Sequence, residues 1–196
     1  MKMLKIEKLL NSMQSKKGAV DLAEKLLGFT ELNGKQDFLE IGCGSGLIVR
    51  HIAENYGASV VGIDVDPEQI ELAGEDIEGI QNIRFLEADV TKLPFEDDSF
   101  DVVLSFGVLH HIDNWLDALQ EIIRVLRRKG YFVYADIIYP ERVTRMDKSS
   151  KMSFGLATID IDELNSFLEQ SGFKVIHSRI IKRLAFQNYE AVYRRG

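Results

Sequence analysis

Cysteine occurs once among the 196 residues, at Cys43, so no disulfide can form within the chain and nothing argues for secretion. The opening MKMLKIEKLL is interrupted by Lys5, Glu7 and Lys8, which breaks any signal-peptide apolar region. No later apolar run reaches the roughly 18 residues of a membrane span. Internal repeats and low-complexity tracts are absent, and a cytoplasmic protein without membrane contact is expected. Basic charge is also scarce where it would matter. Residues 37–138 hold 7 Lys and Arg against 20 Asp and Glu, whereas residues 1–36 and 139–196 each carry an excess of three cations. Such an acidic body is a poor match for a nucleic-acid backbone.

What is present is ordinary globular material, 45% hydrophobic and 28% charged, enough for one domain with a sizeable core. Apolar spacing predicts helices over 4–13 and 19–29 ahead of a first strand at 37–41. A helix from Leu47 to a glycine stop at Gly57 follows, then a buried strand over 58–64. Asp66 as N-cap and Pro67 at the first helical position start the next helix, with Ile70, Ala73 and Ile77 as its buried stripe. Strands over 83–88 and 100–105 come next. A helix from about Asp113 is expected to carry Arg127, Arg128 and Lys129 in its last turn and to end at Gly130. A fifth strand spans 131–138, Asp160 or Asp162 caps a further helix, and strands over 173–181 and 184–193 flank a Lys182-Arg183 turn. Strand and helix alternate through residue 138, which argues for a parallel α/β sheet covered on both faces. The last two strands are joined too closely for a crossover and must form an antiparallel hairpin. Residues 139–159 lack periodicity and read as a lid or substrate segment.

The stretch Asp37 to Leu47, DFLEIGCGSGL, brings a buried strand to glycines at 42, 44 and 46, so that backbone N–H groups can approach a ligand closely. Ligands of open parallel sheets bind beyond the carboxyl ends of the strands. Those ends carry Glu40 with the glycines, Asp64, Asp89, and Ser105 through His111. Asp64 lies 20 residues beyond Gly44, the separation at which a carboxylate accepts from ribose hydroxyls. The loop reads GxGxG and has Leu47 where a dinucleotide fingerprint has its third glycine, and Glu40 would be unwelcome beside a pyrophosphate. A nucleoside bearing a cationic amino-acid group, without phosphate, suits these residues better.

LEIGCGSG at 39–46, VVGIDVDPEQIELA at 60–73, FLEADVTKLPFEDDSFDVVLSFGVLHHI at 85–112 and EIIRVLRRKGYFVYAD at 121–136 together resemble the class I S-adenosylmethionine-dependent methyltransferases. Within that class the chain is most similar to the small-molecule group that includes ubiquinone and menaquinone biosynthesis enzymes. The resemblance implies a Rossmann-like, doubly wound, seven-stranded sheet, mostly parallel with a C-terminal antiparallel hairpin. It implies a single domain: N-terminal helices over 1–33 capping the site, a cofactor core at 37–138, the 139–159 segment, and a helix with the hairpin at 160–196. S-adenosyl-L-methionine would be held by Gly42, Cys43 and Gly44 at its methionine and ribose part, with Glu40 near its amino group. Asp64 would hold the ribose, Val65 pack on adenine, Asp89 and Val90 meet the adenine edge, and Ser105 and Phe106 reach the methionine end. Where the family commonly has Pro-Gly-Gly, this chain has Arg128-Lys129-Gly130.

Methyl transfer is an in-line displacement in which the protein chiefly supplies position. A base is needed only where the acceptor must lose a proton, and His110 and His111 are the candidates. A structural or pocket-wall role competes with that one, and Trp115 reads as helix packing. No metal site is expected. The acceptor is a small molecule, anionic or polar if the basic flanks around Arg142 and Arg145 face it. Two other readings stand beside this one: a non-catalytic cofactor-binding or partner-interaction module, and an NAD-dependent oxidoreductase.

Overall fold

A computed structural model describes residues 16–75, 77, 79–139, 159–182 and 186–196. The expected helix at 4–13, most of the 139–159 segment with Arg142 and Arg145, and Arg183 of the expected turn lie outside the described residues. The elements run α1 (Lys16–Leu27), β1 (Asp37–Ile41), α2 (Leu47–Tyr56), β2 (Ser59–Asp64), α3 (Pro67–Gly74), β3 (Ile83–Glu87), β4 (Phe100–Phe106), α4 (Trp115–Val125), β5 (Leu126–Ile138), α5 (Ile161–Gln170), β6 (Phe173–Lys182) and β7 (Gln187–Arg195). Short 3₁₀ turns at Val90–Lys92 and Leu109–His111 follow β3 and β4.

One seven-stranded sheet has the order β3-β2-β1-β4-β5-β7-β6. The β1–β2, β1–β4, β2–β3 and β4–β5 pairs are parallel, and β7 pairs antiparallel with both β5 and β6. Successive side chains of a strand face opposite sides, and both sides here are apolar. Leu39, Ile41, Phe132 and Tyr134 pack with Trp115, Leu119 and Ile122 of α4 and Leu164 and Leu168 of α5. Phe38, Val102, Leu104 and Val133 pack with Ala23 and Leu26 of α1 and Val49 and Ile52 of α2 on the other side. The doubly wound architecture with its C-terminal hairpin is therefore the one expected.

Local signals act as their chemistry requires. Gly57 caps α2 at φ 61°, Asp66 accepts from the Glu68 N–H at 2.9 Å, and Asp160, not Asp162, caps α5 by accepting from the amides of Asp162 and Glu163. Of the expected α3 stripe, only Ala73 is fully buried. The second strand of the hairpin starts at Gln187, three residues later than expected.

The end of α4 differs from the sequence expectation. The helix stops at Val125, and Arg127, Arg128 and Lys129 belong to the start of β5. Arg127 Nη1 donates to Asp37 Oδ2 at 2.8 Å and Asp101 Oδ2 at 2.9 Å, so carboxylates of β1 and β4 recruit this cation, not a helix terminus. Lys129 takes the left-handed conformation at φ 66°. Gly130 is no helix stop either: a Cβ there would lie 2.7 Å from the Asp101 carbonyl oxygen. The register of β4 against β5 shifts at this point.

Candidate functional site

The loop after β1 is built from close approaches that side chains would block. Gly42, Gly44 and Gly46 have φ of 64°, 50° and 73°. A Cβ on Gly42 would sit 2.4 Å from Val108 Cγ2, and one on Gly46 would sit 2.4 Å from Phe85 Cζ. The Gly44 N–H donates to Asp64 Oδ2 at 2.9 Å, while Asp64 Oδ1 accepts from the Asp66 N–H at 3.0 Å. The ends of β1 and β2 are thereby locked together, with the Asp64 carboxylate fixed between them. Asp89 Oδ1 accepts from the Thr91 N–H and hydroxyl, both at 2.8 Å.

Beyond these strand ends lies a first cavity of about 390 Å³ lined by Gly42, Asp64, Val65, Asp89, Val90, Gly107, Val108 and His111, among others. Val65 is 71% exposed there, an apolar surface left uncovered beside two carboxylates. Five of the cofactor residues expected from the sequence line this cavity. Glu40, Cys43, Gly44, Ser105 and Phe106 do not, and each sits where its local structure sends it. Cys43 turns its side chain into the core against α2, and its N–H is spent on the Ile63 carbonyl at 2.9 Å. Burial, then the nearby Glu40 and Asp64 carboxylates, push its thiol far above the ordinary cysteine range, which is the opposite of an activated nucleophile. Phe106 faces a different cavity.

Glu40 is 4% exposed, and burial raises its carboxyl to about 8, with the Val49 amide pulling the other way and Asp64 adding to the rise. Among the described residues its Oε2 finds no hydrogen-bond partner, and neither does the Oγ of fully buried Ser105. A buried acceptor without a donor is costly. An orphaned carboxyl group behind a glycine loop, an anchored aspartate and an exposed apolar wall fit a nucleoside that carries an ammonium group. Among the described residues no cluster suited to a metal ion is found.

A second cavity of about 230 Å³ adjoins the first, and Gly107 and His111 line both. Its roof comes from Ala19 and Leu22 of α1, and its walls include His110, Asp136, Tyr139, Asn188 and Glu190. Asp136, with a fully buried side chain, bonds His110 Nδ1 through Oδ1. It also accepts from the His110 N–H at 3.2 Å, the Ile137 N–H at 2.7 Å and the Tyr134 hydroxyl at 3.3 Å. The His110 ring lies 3.9 Å, centroid to centroid, from that of His111 and 5.7 Å from that of Tyr139. His111 is held below the ordinary histidine range, first by desolvation and then by His110. Both histidines singled out from the sequence thus line the second cavity, and an imidazole clamped at Nδ1 by a carboxylate presents Nε2 as its proton acceptor.

Asp136, Asn188 and Glu190 escape a reading of the sequence, whereas Tyr139 opens the 139–159 segment expected to face the substrate. Asp136 alone had a usable signal, since it lies near the carboxyl end of β5 as Asp64 does for β2. Asn188 and Glu190 reach the cavity only because β7 pairs with β5, setting Asn188 opposite Ile137 and Glu190 opposite Ala135.

Comparison with known proteins agrees with this geometry. Residues 39–134 match a family described as a methyltransferase domain. The chain is 34% identical over 133 residues to a sterol 4-C-methyltransferase of Caenorhabditis elegans, covering 66% of this chain and 37% of that protein. It is 35% identical over 153 residues to an O-methyltransferase of Aspergillus nomiae, covering 72% and 65%. The first curated relatives it matches are therefore spanned over 37% to 65% of their length. In fold, the structure of a geranyl diphosphate methyltransferase in complex with SAM superposes with a TM-score of 0.77 at 16% identity, over 90% of this chain and 85% of that one.

Proposed function

We propose, from the match of residues 39–134 to the methyltransferase domain family, that the protein transfers a methyl group from S-adenosyl-L-methionine to a small-molecule acceptor. The observation that carries the proposal is the junction of two cavities at Gly107 and His111, one walled for a nucleoside and the other holding the His110–Asp136 pair. When bound, S-adenosylmethionine supplies a methyl group made electrophilic by its sulfonium. Asp64 would hold the ribose hydroxyls, Val65 and Val90 the adenine faces, and Asp89 the adenine amine. Gly42 and Gly44 let the backbone approach, and Glu40, through its unpaired Oε2, would face the ammonium group.

The second cavity then takes the acceptor and orders it toward the junction. Asp136 fixes the tautomer of His110, and His110 Nε2 removes a proton from an acceptor that must lose one. Neutral His111 borders the transfer point without adding positive charge there. A cytoplasmic location belongs to the same proposal, and cell fractionation tests it.

Calorimetric titration with S-adenosylmethionine and with NAD(H) tests the cofactor, and NAD(H) binding without S-adenosylmethionine binding would overturn the proposal. Detection of S-adenosylhomocysteine tests the reaction. Asp136→Asn should lower kcat by about 10²- to 10⁴-fold while leaving the cofactor's dissociation constant unchanged, the range for a lost acid–base contribution. Equal loss of binding and turnover would instead assign Asp136 a purely structural role.

A further inference from the structure

We infer that the second cavity selects acceptors bearing hydrogen-bond donors, hydroxyl or amine, at the end remote from the methylated atom, and discriminates against carboxylates. This rests on the methyltransferase reading for which end is methylated, but the recognition surface itself is a feature of β7. Asn188 and Glu190 stand two residues apart on that strand. Strand alternation sends both to one face, about 7 Å apart along the chain. That face is the one roofed by Ala19 and Leu22 of α1.

The far wall offers oxygens. Asn188 Oδ1 is buried and has no hydrogen-bond partner among the described residues. Glu190 is 4% exposed, and among the described residues Lys25 Nζ contacts its Oε1, with Arg179 Nη1 at 4.0 Å and the His177 ring nitrogen Nε2 at 3.9 Å from the same oxygen. Of these three only Lys25 comes within hydrogen-bond distance, and it does so at Oε1. The near wall repeats the pattern, since Asp136 is buried and its oxygens are already saturated with donors.

A ligand carboxylate entering this cavity would meet two buried carboxylates and leave Asn188 Oδ1 unpaired. A hydroxyl or amine would satisfy that oxygen and find Glu190 Oε2 beside it. Ile137, Ile181 and Phe106 supply apolar walls between the two ends, so the fitting molecule is compact, largely apolar and donor-bearing. Of the anionic or polar acceptor expected from the basic flanks, these walls favour the polar one.

Matched phenols probe the cavity directly. Binding of 4-hydroxybenzyl alcohol, tyramine, p-cresol and 4-hydroxybenzoate is measured by ligand-observed NMR, with and without saturating S-adenosylhomocysteine. The alcohol and the amine should bind about tenfold more tightly than the cresol and the benzoate, the scale of one buried acceptor satisfied or left bare. Asn188→Leu should erase that preference without changing the affinity for S-adenosylhomocysteine, and Asn188→Ser, which keeps an acceptor oxygen, should retain part of it. Benzoate binding as tightly as the alcohol, no binding of the alcohol, or a preference that survives Asn188→Leu would each overturn the inference. Failure of S-adenosylhomocysteine to bind would refute the methyltransferase reading instead, and the titration without it still reads the cavity.

Discussion

Glu40 shows how one side chain can carry both a stability cost and a function. Its carboxyl, raised to about 8 from an ordinary 4.5, stays protonated in the folded protein at neutral pH. In the unfolded chain it ionises near its ordinary value. Its contribution to stability is therefore fully present below pH 4.5, declines as pH rises, and is lost above about 8. The difference is on the order of a few kcal/mol by linkage. Glu40→Gln should remove this dependence: urea unfolding at pH 5, 7 and 9 should show the variant gaining on the wild type as pH rises. A constant difference across the three would refute the assignment. Glu40, Asp64 and Asp89 can be read from the sequence because strand-end position and spacing are local signals. Asp136 carries the strand-end signal alone, and its pairing with a histidine 26 residues away is set by the fold. Cys43 lies in the predicted loop, yet only the fold reveals that its side chain packs into the core and does not line the first cavity.

Among the elements, the turn from β1 into α2 has the least tolerance for change. Gly46 combines a left-handed φ of 73° with a Phe85 ring 2.4 Å from where its Cβ would be. Gly46→Ala should cost about 2–4 kcal/mol, adding backbone strain to displacement of the ring. Chemical denaturation should show a lower midpoint with an unchanged slope, and cofactor affinity should fall with it; an unaltered midpoint would show that the ring yields freely. The glycine loop could be anticipated because its geometry is dictated within a few residues. The end of α4 could not. Three consecutive cations after an amphipathic helix look the same whether they serve its C-terminus or, as Arg127 does, carboxylates on β1 and β4.

For the molecule as a whole, strand count, alternation and the closing hairpin follow from periodicity and loop length. The sheet order and the second cavity follow from long-range pairing that periodicity does not encode. Because the walls of the first cavity come from four separate strand ends, a ligand bound there should stabilise the entire domain. S-adenosylmethionine at 100 times its dissociation constant should add about 2.7 kcal/mol, or roughly 5–10 °C in Tm for a domain of this size. Calorimetric or fluorescence melting would read it, and a shift confined to a minor early transition would contradict a single cooperative unit.

β7 comes last of the seven strands in the chain, yet it lies inside the sheet, between β5 and β6. The two cavities therefore draw on different stretches of the chain. The lining residues of the first all lie between Gly42 and Ile112, whereas the second also needs Asn188 and Glu190 of β7. Truncation ahead of β7 would remove the far wall of the second cavity and none of the residues that line the first.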